Sequence, residues 1–154
     1  MTQNNINTGS RILQRLSVST ASIITGNVTT PADDTIPQLS ESVSIVTLAI
    51  TPKSAVSTLL IELTCKTSVH ATTTSGTVAL FQDSTANALT AMYRRGFGDN
   101  ILRYVMTSGT ISSTTFKAQV GRVGGTACYI NSDTVGGGLM GGVMYAWLTI
   151  IEIL

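Results

Sequence analysis

Few side chains in this 154-residue chain are equipped for chemistry, and their spacing decides what they can do. His70, the only histidine, stands five residues from Cys65 in "LLIELTCKTSVH". An extended chain alternates its side chains with a period of two, so these groups point to opposite faces and form no Cys–His nucleophile pair from this segment. Cys128 could reach His70 from elsewhere; otherwise His70 reads as a surface residue on a polar strand face. Asp33 and Asp34 could offer two carboxylates to a cation, yet adjacent acids ahead of "TIP" favour a solvated turn, and no metal site is expected. Glu62, Asp83, Asp99 and Asp133 show no spacing that demands an acid–base pair. The carboxylate separation that governs glycoside hydrolysis is not written in a sequence. No catalytic residue and no cofactor are expected, so the chain does not read as an enzyme. Cys65 and Cys128 lack a CxxC neighbour and read as two small buried residues, with a disulfide formed after release into an oxidising medium left open.

One segment reads as a binding surface. "YRRGFGDN" places Arg94 and Arg95 between Tyr93 and Phe97 and follows them with a Gly-Asp99-Asn100 turn. Planar guanidinium and aromatic groups presented together at a loop can stack on sugar rings or pair with anionic polysaccharide. The plainer reading is a hairpin tip with an ion-paired arginine.

Elements made of strands must position these groups. Thr and Ser account for 41 of the 154 residues, while Glu, Lys and Gln are sparse, which favours extended chain over helix. Ile12 to Ser19 alternates as a first strand, and "VSIVTLAI" runs from Val43 to Ile50 before Thr51-Pro52 stops it. In "LLIELTCKTSVH", Leu59, Ile61, Leu63, Cys65, Thr67 and Val69 take one face, and Glu62, Thr64, Lys66, Ser68 and His70 take the other. "TVALFQDS", "LTAMYRRGF", "ILRYVMTSG", "TFKAQVGRV" and "TACYIN" follow, bounded by turn residues. The expected fold is all-β: a two-sheet antiparallel jelly-roll sandwich over residues 11–154, behind a polar arm at Met1 to Ser10. A net charge of +1 with scattered Lys and Arg marks no nucleic-acid groove. The opening "MTQNN" lacks a basic-then-apolar leader, so synthesis in a cytoplasm with reduced thiols is expected.

The closing run "VGGGLMGGVMYAWLTIIEIL" is too short for a spanning helix and carries Glu152, so no membrane insertion is expected. It lacks the Lys-Ser/Thr ending of a phosphate loop. As a strand it sets Tyr145, Trp147, Thr149, Ile151 and Ile153 against Ala146, Leu148, Ile150, Glu152 and Leu154. Both faces are mostly apolar, so sister subunits are expected to cover one of them, with Tyr145, Trp147, Ile151 and Ile153 as the candidate interface.

Three stretches carry a resemblance: "DDTIPQLSESVSIVTLAITPKSAVSTLLIEL" (Asp33 to Leu63), "ALFQDSTANAL" (Ala79 to Leu89) and the terminal "GGVMYAWLTIIEI". In that order they resemble the carboxyl-terminal β-sandwich of structural proteins of tailed bacteriophages, especially tail-fibre tips and short head fibres. The resemblance implies a homotrimeric jelly roll on the virion, made in the host bacterial cytoplasm. It further implies a short tail-fibre or tip protein that binds host glycan or lipopolysaccharide, with Met1 to Ser10 held by baseplate or capsid. Capsid decoration, cementing the phage shell, is the alternative. No long shaft precedes the first strand, so a compact tip is expected in place of a long fibre.

Overall fold

The alternation read from the sequence becomes ten strands among the described residues. The computed structural model describes residues 9–69 and 74–154, so most of the expected arm and His70 lie outside the described residues. In chain order the strands are β1 (Ile12–Thr20), β2 (Ile24–Gly26), β3 (Val43–Ile50), β4 (Thr58–Val69) and β5 (Ser75–Gln82). They continue as β6 (Thr90–Arg95), β7 (Gly98–Thr107), β8 (Thr114–Val123), β9 (Cys128–Ile130) and β10 (Ala146–Ile153). Two single turns of 3-10 helix are the only helical pieces among the described residues.

The strands form two antiparallel sheets packed as a sandwich. β4 organises the first sheet. Its residues Thr58–Thr64 pair with β10 on one edge, and Thr58–Thr67 pair with β7 on the other. β1 lies outside β10, and at the far end of β4 the short β9 and β2 continue the sheet. The second sheet runs in the order β3-β8-β5-β6. Between the sheets sit Leu59, Ile61, Leu80, Phe116, Leu148 and Ile150, all shielded from solvent. This agrees with the face expected of β4, except that Ser68 is buried too, its hydroxyl donating to the carbonyls of Ser132 and Asp133.

The outer faces of the two sheets differ. An arm between β2 and β3 lies along the second sheet. It exchanges backbone bonds with β8, from Thr30 N–H to the Arg122 carbonyl and from Arg122 N–H to the Val28 carbonyl. It is then pinned to the turn after β5, where Leu39 N–H donates to the Ala86 carbonyl and Ala88 N–H to the Pro37 carbonyl. β5 is consequently buried on both faces: Val78 and Leu80 face the core, while Thr77, Ala79 and Phe81 point the other way and are still covered. The chain comes so close that a Cβ on Gly121 of β8 would overlap the Thr30 hydroxyl and lie 2.8 Å from the Glu41 carbonyl oxygen. The outer face of the first sheet has no such cover among the described residues, and Val105 on β7 is 60% exposed.

The glycine-rich segment ahead of β10 is a loop with Gly136, Gly141 and Gly142 in the left-handed region, which favours residues without a Cβ. Beyond it β10 closes the molecule. Arg11 and Leu154 exchange both backbone bonds and add a final rung beside the β1–β10 ladder.

Candidate functional site

The segment Tyr93 to Asn100 is not a hairpin tip. β6 belongs to the second sheet and β7 to the first, so Gly96 and Phe97 form a corner that carries the chain from one sheet to the other. The expected Gly-Asp-Asn turn is instead the start of β7. A chain that changes sheets distributes its side chains over different surfaces. Tyr93 and Arg95 emerge on the outer side of the second sheet, where the Tyr93 hydroxyl donates to Ser75 Oγ at 2.8 Å and accepts from Arg95 Nε at 3.4 Å. Arg94 folds across the corner, its guanidinium donating to the Phe97 and Asp99 carbonyls at 3.2 and 3.3 Å. Gly98 makes room for it, since a Cβ there would overlap the guanidinium. Phe97 turns toward the first sheet and lies under the Lys66 ammonium, 4.2 Å from the ring centroid. Asp99 is exposed and directly opposite Lys66 in the β4–β7 ladder. Asn100 is 1% exposed and donates its amide to Thr67 Oγ1 at 2.9 Å. The six residues grouped by the sequence are thus split: Tyr93 and Arg95 on the outer side of the second sheet, Phe97 and Asp99 beside Lys66 of the first, Arg94 folded on the corner and Asn100 buried.

The residues grouped on β10 stay together. Tyr145 and Trp147 are both about half exposed, with ring centroids 5.6 Å apart, and Ile151 and Ile153 lie further along the same outer face. Cross-strand register extends each of them into a row, because directly opposed residues in a ladder share a face. One row reads Arg15, Ile151, Leu60, Val105, and another reads Ser19, Trp147, Thr64, Ile101. Between them runs a polar row of Ser17, Thr149, Glu62 and Arg103, closed by a 2.6 Å ion pair between the last two. The result is a mixed face on which Ile151, Leu60 and Val105 lie on one side of the polar row and Trp147 and Ile101 on the other.

The sequence marked Glu152 as an interruption of an apolar run, and the structure gives it a job. It points into the sandwich and is 0% exposed. Its carboxylate accepts from the backbone N–H groups of Lys53 and Ser54, from Ser57 Oγ at 2.6 Å and from Gln14 Nε2 at 2.6 Å. Burial pushes its pKa up, but the bonds from Ser57, Gln14, Lys53 and Ser54 outweigh burial and hold it below the ordinary value. The signal available in the sequence was a charge at a core position of a strand, since such a group survives only with partners. Cys65 and Cys128 are both buried free thiols, and burial pushes each up to about 12. No three His, Cys, Asp or Glu residues gather to hold a metal among the described residues, and no helix there is long and apolar enough to cross a membrane.

No protein-family model matches the chain, and no curated protein matches it significantly.

Proposed function

We propose that the chain is a self-associating structural module of a bacteriophage virion, a jelly-roll homotrimer at a short tail fibre or tip that contacts the host surface. The observation that carries self-association is the contrast between the two sheets. The second is covered by the chain's own arm, whereas the first leaves Trp147, Ile101 and Val105 about half exposed or more on one continuous face. Large apolar side chains left open in two rows across one sheet face are what a partner surface would cover. The jelly roll is supported by strand order: β1-β10-β4-β7 facing β3-β8-β5-β6 is the pairing that two interlocked Greek keys produce. The count of three, and the virion setting, rest on the resemblance of the Asp33–Leu63, Ala79–Leu89 and terminal stretches.

Sedimentation at micromolar concentration tests the assembly. A trimer mass is expected for the wild type, and monomer for Val105→Lys, whose exposed side chain leaves the fold room to accept the change. A wild type that sediments as monomer overturns the reading. Binding of the purified protein to host cells then tests the location. Failure to bind, together with increased heat resistance of undecorated capsids, would replace the fibre by shell decoration.

A further inference from the structure

The arm that covers the second sheet does not lie flush against it. Where it passes β6 it leaves two adjoining depressions of about 400 and 320 Å³ that share Asp33, Thr35, Pro37 and Ala91. The smaller ends against Tyr93, which is 51% exposed. Volumes in this range suit small-ligand sites. We infer that this groove is a glycan subsite, selective for neutral or amino-bearing sugar residues, which rests on the host-attachment reading and gives it a location.

The chemistry of the walls defines the ligand. A pyranose ring has an apolar C–H face and a rim of hydroxyls, so its site needs a flat apolar wall beside oxygen acceptors. Tyr93, Pro31, Pro37 and Ala91 supply the first. Asp33 and Asp34 supply the second, since a carboxylate makes stronger bonds to hydroxyl and ammonium donors than a neutral acceptor does. Thr35 donates both its N–H and its hydroxyl to Asp33 Oδ1, which fixes that carboxylate and leaves Oδ2 without a partner among the described residues. No Lys or Arg lines either depression; Arg95 lies outside their walls, its Nε donating to the Tyr93 hydroxyl. An anionic sugar would therefore meet two like charges.

Placement and rigidity favour the same use. The arm is hydrogen-bonded at both ends, and Pro31 and Pro37 fix their own φ angles, so the groove is formed before any ligand arrives. It lies on the sheet opposite the Trp147 face and stays open when copies assemble through that face. Three such grooves on one body would multiply a weak single-site affinity.

Capture on immobilised chitosan, dextran and hyaluronan oligosaccharides tests the assignment. The wild type should bind the amino and neutral probes at least tenfold more tightly than the acidic one. Ala91→Arg, which fills the groove without touching its hydrogen bonds, and Asp33→Asn/Asp34→Asn should each lose about tenfold or more of that binding. Circular dichroism and sedimentation identify any variant that fails to fold, and Ala91→Arg keeps the test alive if the aspartate variant does. No capture of any probe, preference for hyaluronan, binding abolished by EDTA, or wild-type affinity in Ala91→Arg would each overturn the groove. Host-cell binding that survives in Ala91→Arg overturns the groove and leaves attachment standing. Probe capture by a wild type that ignores host cells supports the groove and overturns attachment.

Discussion

Glu152 shows how a charge can be stable at the centre of an apolar strand. A carboxylate moved out of water loses its hydration, and only a full set of donors offsets that loss. Lys53 and Ser54 donate backbone N–H groups that the bend after β3 would otherwise leave unpaired, so carboxylate and loop satisfy one another. Glu152→Gln keeps the shape, yet it replaces an acceptor oxygen by a donor facing donors. Chemical denaturation should show a loss of about 2 to 4 kcal/mol at neutral pH. The pH dependence follows from the depressed pKa of the folded state. The stabilisation is complete above the ordinary glutamate value of 4.5 and is lost as pH falls below it toward the folded value. The gap between wild type and Glu152→Gln should therefore shrink in acid, and a gap that stayed constant would count against the charge as its source. The two thiols lead to a simpler expectation. With both buried and pushed up to about 12, a thiol reagent at neutral pH should label neither in the native protein and both after denaturation.

Among the elements, the arm between β2 and β3 was the least legible and has the largest consequences. Strands such as β4 could be read directly because alternation is local: Leu59, Ile61 and Leu63 repeat every second residue, and a half-buried strand requires that. β5 holds only a four-residue apolar run, Val78 to Phe81, and its burial on both faces depends on a segment more than thirty residues upstream that shows no periodicity of its own. The corner at Gly96 and Phe97 was missed for a similar reason. A tight turn within a sheet and a crossing between sheets draw on the same residues, and only long-range pairing separates them. The residues grouped as one candidate loop are accordingly divided between two sheets. Gly121 offers a test of the arm itself. Gly121→Ala would drive a methyl group into Thr30 and the Glu41 carbonyl, costing about 1 to 3 kcal/mol by overpacking. The damage should be local: faster hydrogen exchange at Thr30 and easier proteolysis near Pro31 to Pro37, with the β1–β10 ladder unchanged.

At the scale of the whole molecule the two sheets differ, one outer face partly covered by the chain's own arm and the other without such cover among the described residues. Under the proposed self-association, stability depends on concentration. If assembly buries the Trp147 face, the wild-type melting temperature should rise with protein concentration, while that of Val105→Lys should not. Ile151→Lys, in the same row, should lower both assembly and intrinsic stability because its side chain is half-buried already. The mutual backbone bonds of Arg11 and Leu154 have a consequence of another kind. They bring the two ends of the sandwich within one rung of each other, directly above the carboxylate that ties Gln14 to the bend after β3. Topologically the domain is a ring with a single cut, and the cut is clasped. A short peptide could therefore seal it there and the circle be reopened in the exposed glycine loop at 136–142, moving both ends to a different part of the molecule while every strand keeps its neighbours.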